Sequence, residues 1–181
     1  MASVFGHGIV AYTLANVLDK EQAKLLTVLA IVSLIIPDLD VIGFFAGIPY
    51  DAPFGHRGFT HSILFALLWS ILLSVLFGKN RKLIYFTVLL LATISHGILD
   101  AMTSGGEGVG FFIPFDNERY FFDFRPILVS PIGVKRFFSE WGFRVIKSEF
   151  LWVLLPCLII CLLFYVIKYY QLNAKKNTQK R

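Results

Sequence analysis

Five apolar stretches divided by short charged turns dominate this chain, and they leave few folds open to it: Ser3–Leu18, Leu25–Ile36, Ser62–Gly78, Leu83–Ala101 and Phe150–Tyr170. A helix crosses the hydrocarbon core of a bilayer with about 20 mostly apolar residues, or somewhat fewer where neighbours bury it. The first two stretches are the shorter pair, and Pro37 is expected to stop the second. They read as a hairpin turning at Asp19-Lys20-Glu21-Gln22-Ala23-Lys24, and the next hairpin turns at Lys79-Asn80-Arg81-Lys82. Hydrophobic residues make up 56% of the 181, against 16% charged. Mean hydropathy is +0.69. The expected fold class is therefore all-α: a polytopic membrane helical bundle of about five embedded helices in one domain over residues 1–170, with a basic cytoplasmic tail at 171–181.

The net charge of +5 does not point to nucleic acid. Lys79, Arg81 and Lys82, and Lys175, Lys176 and Lys180, sit beside apolar segments, where they anchor a protein at a membrane surface. Placing both basic turns and the tail in the cytoplasm satisfies the positive-inside rule with one topology, in which the first, third and fifth segments run inward. Cys157 and Cys161 lie four apart inside an apolar run and read as packing residues. No positive region precedes the first apolar stretch, so the N-terminus is expected to be part of the mature structure.

The long connection from Met102 to Glu149 contains Val134, Phe137, Phe138, Trp141 and Val145 at helical spacing, with Lys135, Arg136, Glu140, Arg144 and Lys147 between them. The spacing predicts an interfacial amphipathic helix. Ahead of it, the aromatic runs 111–116 and 120–124 suggest either a loop packed on the bundle mouth or a rim in contact with lipid.

Polar chemistry gathers at one level of the bundle. Counting from the basic turns at about 1.5 Å per residue, His7, Asp38, His61 and His96 each lie roughly 20–27 Å away, so four segments carry them to the same end. Asp100 follows His96 by four residues and shares its helix face. Pro37-Asp38-Leu39-Asp40 supplies two carboxylates, and His56-Arg57-Gly58-Phe59-Thr60-His61-Ser62 supplies two imidazoles and a guanidinium. Alone, each has an ordinary explanation: a hydrogen-bonded histidine at a helix end, an aspartate as cap or turn residue, an arginine reaching for the interface. Together they hold all four histidines of the chain in one layer. Ionisable groups at membrane depth are costly unless paired, hydrated or metal-bound, so the concentration marks a functional site.

Imidazole and carboxylate donors in this pattern suit a divalent cation. The expected ligands are His7, Asp38, His61, His96 and Asp100, with His56 as a further ligand or a supporting group. Zinc comes first because imidazole dominates; manganese and iron are alternatives, with one or two ions. Asp40 is expected as bridging ligand or general base. Arg57 would either stabilise an anionic substrate or pair with a carboxylate. The glycines of Thr103-Ser104-Gly105-Gly106-Glu107-Gly108 would let backbone amides approach a ligand, though a flexible loop explains them as well. That segment lacks the spacing of a phosphate loop, and Ser104 lacks the context of a nucleophile elbow.

In these motifs the chain resembles the LexA-regulated, membrane-bound metal-dependent hydrolase family, also called YdjM-like. The shared pattern is an early His (His7), P-D-x-D (37–40), H-R-G-x-T-H-S (56–62) and H-x-x-x-D (96–100), and the resemblance covers about the first 130 residues. It implies a metal site in the bacterial inner membrane and names no substrate. The order of ligands also resembles part of the all-helical zinc-dependent phospholipase C pattern, which would give His7 and Asp38 to one ion and His61, His96 and Asp100 to another. No later H-x-x-x-E pair follows here, so a third ion has no ligands. The reading is a metal-dependent hydrolase, acting near the outer face on a phosphoester of a lipid or lipid-linked substrate. A non-catalytic metal-binding transporter or sensor is the alternative, and a structural membrane protein with a polar layer is the third.

Overall fold

The computed structural model describes residues 1–131 and 134–178. Among them the structure is helical, without strands, and Thr103–Ile127 and Val109–Tyr120 form isolated β-bridges. The helices are α1 (Val4–Leu18), α2 (Lys24–Ile35), a short α3 (Val41–Phe45), α4 (Ile63–Phe77), α5 (Lys82–Ala101), a one-turn α6 (Val134–Phe137), α7 (Glu140–Glu149) and α8 (Leu155–Thr178). Among the described residues, Lys24–Gly43, Lys79–Ala101 and Glu140–Gln171 are long and apolar enough to cross a membrane, and α1 and α4 are shorter apolar helices. This is a membrane helical bundle.

Helix starts follow local chemistry. The hydroxyl of Ser3 accepts from the Gly6 amide at 3.2 Å, and that of Ser62 from the Phe65 amide at 3.1 Å, each satisfying one of the free N–H groups at a helix N-terminus. The hairpins α1/α2 and α4/α5 pack with α2 and α1 against α5, and α8 lies along α1. Their shared core joins Ala11, Ala15, Leu26, Ala30, Leu34, Leu73, Val88, Leu89 and Ala92. Lipid tails are as apolar as leucine, so helices here associate through close van der Waals contact, which the buried alanines permit. Within the membrane segments, Cys157 is buried and Cys161 half-buried against Thr13 of α1, and neither forms a disulfide.

Both basic turns come to the same end of the bundle: Arg81 bonds Asp19 and meets Glu21 at 3.0 Å. The opposite end is built from less regular backbone. Arg119 stitches the 46–58 loop together by donating to the carbonyls of His56 (2.7 Å), Tyr50 (2.9 Å) and Ala52 (3.0 Å). Non-helical backbone beside a bilayer is tolerated where protein satisfies it.

The α-helix α2 ends just before Pro37, as expected, and a 3-10 turn (Ile36–Asp40) then leads directly into α3. Two expectations change in detail. The amphipathic segment is broken, because Ser139 adopts an extended conformation and caps a new helix through its hydroxyl. Gly142 sits so close to the Phe137 carbonyl that any Cβ would collide with it. Finally, α7 runs through a π-helical turn at Phe150–Leu154 into α8, so the fifth apolar segment is the continuation of the amphipathic one, and α8 extends past Tyr170 to Thr178. Gln179–Arg181 of the expected tail lie outside the described residues.

Candidate metal centre

Three elements deliver four donor atoms. The 3-10 turn after α2 places Asp38, the 3-10 turn before α4 places His61, and α5 places His96 and Asp100 one turn apart. One ligand atom of each lies within 4.8 Å of all the others. The imidazole Nε2 atoms of His61 and His96 are 2.9 Å apart. Asp38 Oδ1 stands 3.7 Å from His61 Nε2 and 3.5 Å from His96 Nε2, and Asp100 Oδ2 stands 3.7 and 3.9 Å from the same two nitrogens. Ligand atoms around a tetrahedral ion with bonds of about 2.0–2.1 Å are separated by roughly 3.3 Å, within the spread seen here.

Neighbouring bonds decide which way each ring points. A carbonyl can only accept, so Leu34 O at 2.6 Å fixes the proton of His96 on Nδ1 and leaves Nε2 as a lone pair. His61 Nδ1 lies 3.1 Å from Asp40 Oδ2, which orients its Nε2 the same way. Asp38 Oδ1 and Asp100 Oδ2 are buried and have no hydrogen-bond donor among the described residues. Two imidazole Nε2 atoms and two carboxylate oxygens converging on one point form a donor set that fits a divalent cation once His61 gives up its proton. Without an ion the surrounding carboxylates favour positive charge at this point. Burial opposes a charge on His61, yet Asp100, Asp38 and Asp40 outweigh it and raise its pKa to about 10.

The other expected residues form a surrounding layer. Asp40 is fully engaged: it faces His56 Nδ1 at 2.6 Å and accepts from the Arg57 amide at 3.0 Å and the Thr60 hydroxyl at 2.8 Å, besides its contact with His61. Arg57 is fully buried, with Nε 3.1 Å from Asp100 Oδ2 and its terminal nitrogens donating to Gly105 O (3.0 Å) and Thr103 Oγ1 (3.1 Å). It adopts φ +62°, a strained conformation of the kind that tertiary contacts must hold. Gly106, at φ +93°, leaves room for this guanidinium, which a Cβ would meet at 2.6 Å. The glycine-rich loop thus turns a carbonyl toward Arg57. His7 stacks on His96 with centroids 4.0 Å apart, and its Nε2 faces Asp100 Oδ1 at 3.4 Å. Both His7 ring nitrogens are without hydrogen-bond partners among the described residues. His56 meets the His61 ring edge-on at 5.8 Å, so all four histidines do share one layer.

Sequence reading missed several members. Thr103 and Thr60 tie Arg57 and Asp40 in place. The Ala2 amide donates to Asp100 Oδ1 at 2.8 Å. Glu149, buried at the start of the last span, bonds the Ser3 amide and hydroxyl and so pins the start of α1 near His7. A lone carboxylate heading a long apolar run is the signal that could have exposed it.

Bundle and site together define an integral membrane protein with a buried Asp/His cluster able to hold a metal ion. The chain belongs to the YdjM inner membrane protein family, whose model matches residues 1–174. It is similar to the inner membrane protein YbcI of Escherichia coli (strain K12), 40% identical over 137 residues that cover 72% of this chain and 77% of that protein. No solved structure matches it. The protein is accordingly an integral protein of the inner membrane.

Proposed function

We propose that this protein is a metal-dependent hydrolase of the inner membrane, acting on a phosphoester of a lipid or lipid-linked substrate, with its site near the outer face. The observation that carries this reading is the convergence of His61 Nε2, His96 Nε2, Asp38 Oδ1 and Asp100 Oδ2. These four would hold the ion, zinc first by ligand chemistry, with manganese or iron as alternatives. A divalent cation there supplies a Lewis acid for a substrate oxygen and acidifies water at neutral pH.

The chain's own residues supply the rest. Asp40, its oxygens occupied, orients His61 and positions His56. Arg57 balances the charge of Asp100 and locks the Gly105 carbonyl, so its part is to hold a ligand rather than to bind substrate. His7, with both ring nitrogens unengaged beside Asp100, is the side chain placed to carry a proton or to ligate a second ion. Asp38 opens on an apolar cleft while His61, His96 and Asp100 are buried, so substrate would reach the centre past Asp38.

The test is phosphate release from phosphatidic acid and from an isoprenoid diphosphate by the detergent-purified protein. Turnover abolished by chelator, restored by zinc and lost in Asp38→Asn is the expected result. One ion per chain with no turnover of either probe would turn the reading to a metal-binding protein without catalysis.

A further inference from the structure

We infer that the cleft opening on Asp38 is the seat of a fatty-acyl chain, so that the site takes a membrane phospholipid sideways from the bilayer. This rests on the reading of Asp38 as part of a metal centre. The cleft holds about 520 Å³, inside the ~300–1,000 Å³ common for ligand sites. Its walls are Val4 and Phe5 of α1, Val41 and Phe45 of α3, Phe137 of α6 and the following Phe138. Phe5 and Phe137 rings lie 5.9 Å apart, and Phe137 and Phe138 rings 5.8 Å, which makes one side a continuous aromatic surface.

The lining of this cleft is mixed. Ser3, Ser130 and the Asp38 carboxylate line it along with the apolar walls, and Asp38 is also one of the four clustered donors. A free phosphate would gain nothing from the aromatic walls, and a plain hydrocarbon would leave Asp38 facing it. An amphiphile with a phosphate next to a hydrocarbon chain matches both parts. Elsewhere the exposed apolar side chains of α4 and α8, such as Leu72, Leu76 and Leu162, belong to helices that offer lipid a surface without a carboxylate donor of the cluster. The cleft differs from them by its continuity with the site.

Phosphatidic acid carrying a diazirine in its acyl chain, incorporated with the full-length protein into vesicles of phosphatidylethanolamine and phosphatidylglycerol, tests this by photolabelling and peptide mapping. In the wild-type protein the label is expected to concentrate on peptides bearing Phe5, Phe45 and Phe137 over those bearing Leu72 and Leu162. Filling the cleft with Val41→Trp, or independently Val4→Trp, should lower that labelling about tenfold, equivalent to ~1.4 kcal/mol of binding. Even labelling of all the lipid-facing helices, unchanged in both variants, would overturn the inference, as would displacement of the label by an isoprenoid phosphate but not by excess phosphatidic acid. The wild-type map needs no variant, so misfolding of either one leaves the test intact. Metal content of the same samples separates the two readings. Cleft labelling on a protein that takes up no ion defeats the metal centre and spares the cleft; even labelling on an ion-loaded protein does the reverse.

Discussion

At the basic end of the bundle, Asp19 accepts from the Glu21 amide (3.0 Å), the Ala23 amide (2.9 Å) and the Arg81 guanidinium, so the protein itself supplies every donor that carboxylate needs. At the other end, Asp38 and Asp100 each keep a buried oxygen that takes no hydrogen bond among the described residues, with the Nε2 atoms of His61 and His96 turned toward the same point. Both ends are acidic residues near cations, and only their satisfaction differs. A charge closed by protein donors fastens a turn; a cluster whose carboxylate oxygens are only partly met by protein cations leaves a place that a further cation could take. Lone buried acceptors cost stability, which is why their retention here speaks for function.

Removing Arg57 should break this contrast most severely. With Arg57→Met, Asp100 loses its guanidinium while remaining buried, and such one-sided removal costs about 3–5 kcal/mol. Thermal unfolding in detergent measures it, and a melting curve like that of wild type would refute the role given to Arg57. Asp40→Asn is next. It keeps the donor set but loosens His61, so ion affinity should fall about 10–100-fold, as for other residues that orient metal-binding histidines. Competition with a chelator of known affinity reads the change, and an unaltered affinity would mean that His61 is oriented by other contacts.

Acidity sharpens the comparison further. The raised His61 pKa means that, in chelated protein, its proton contributes stability below the ordinary value of 6.5, and that this contribution is lost as pH rises through about 10. An incoming ion has to displace that proton, so affinity should drop about tenfold for each pH unit below 10. Calorimetry in buffers of different ionisation enthalpy counts the protons; none released would contradict the assignment of His61. The smallest effect belongs to Asp19→Asn. Burial raises the Asp19 pKa, but the Ala23 amide, Arg81 and the Glu21 amide together pull it below 3.8. Its contribution is therefore present above pH 3.8 and lost as pH falls through the lower folded value. The variant should melt slightly earlier at neutral pH with its ion content unchanged, and a loss of ion there would erase the distinction between the ends.

Much of this contrast was legible in the sequence. Counting residues from the basic turns placed His7, Asp38, His61 and His96 at one end, because helices convert sequence separation into depth with a fixed rise. The i, i+4 spacing of His96 and Asp100 put both on one face. What stayed hidden was set by tertiary contacts without periodicity. Nothing in Pro37-Asp38-Leu39-Asp40 says that Asp38 turns inward while Asp40 spends both oxygens on His56, Arg57, Thr60 and His61; that choice depends on how the 3-10 turn meets the loop before α4. The pairing of Arg57 with Asp100 in a fully buried position likewise depends on the fold and leaves no local pattern. Glu149 and Ser3 are separated by 146 residues, and no local signal pairs them.

X-ray absorption at the metal edge of the purified wild-type protein addresses the central claim most directly. One tightly held divalent ion per chain is expected, with two imidazole nitrogens and carboxylate oxygens at about 2.0–2.2 Å around it. A folded protein that takes up no ion from a metal-supplemented solution, or whose bound ion shows no imidazole scattering, would contradict it.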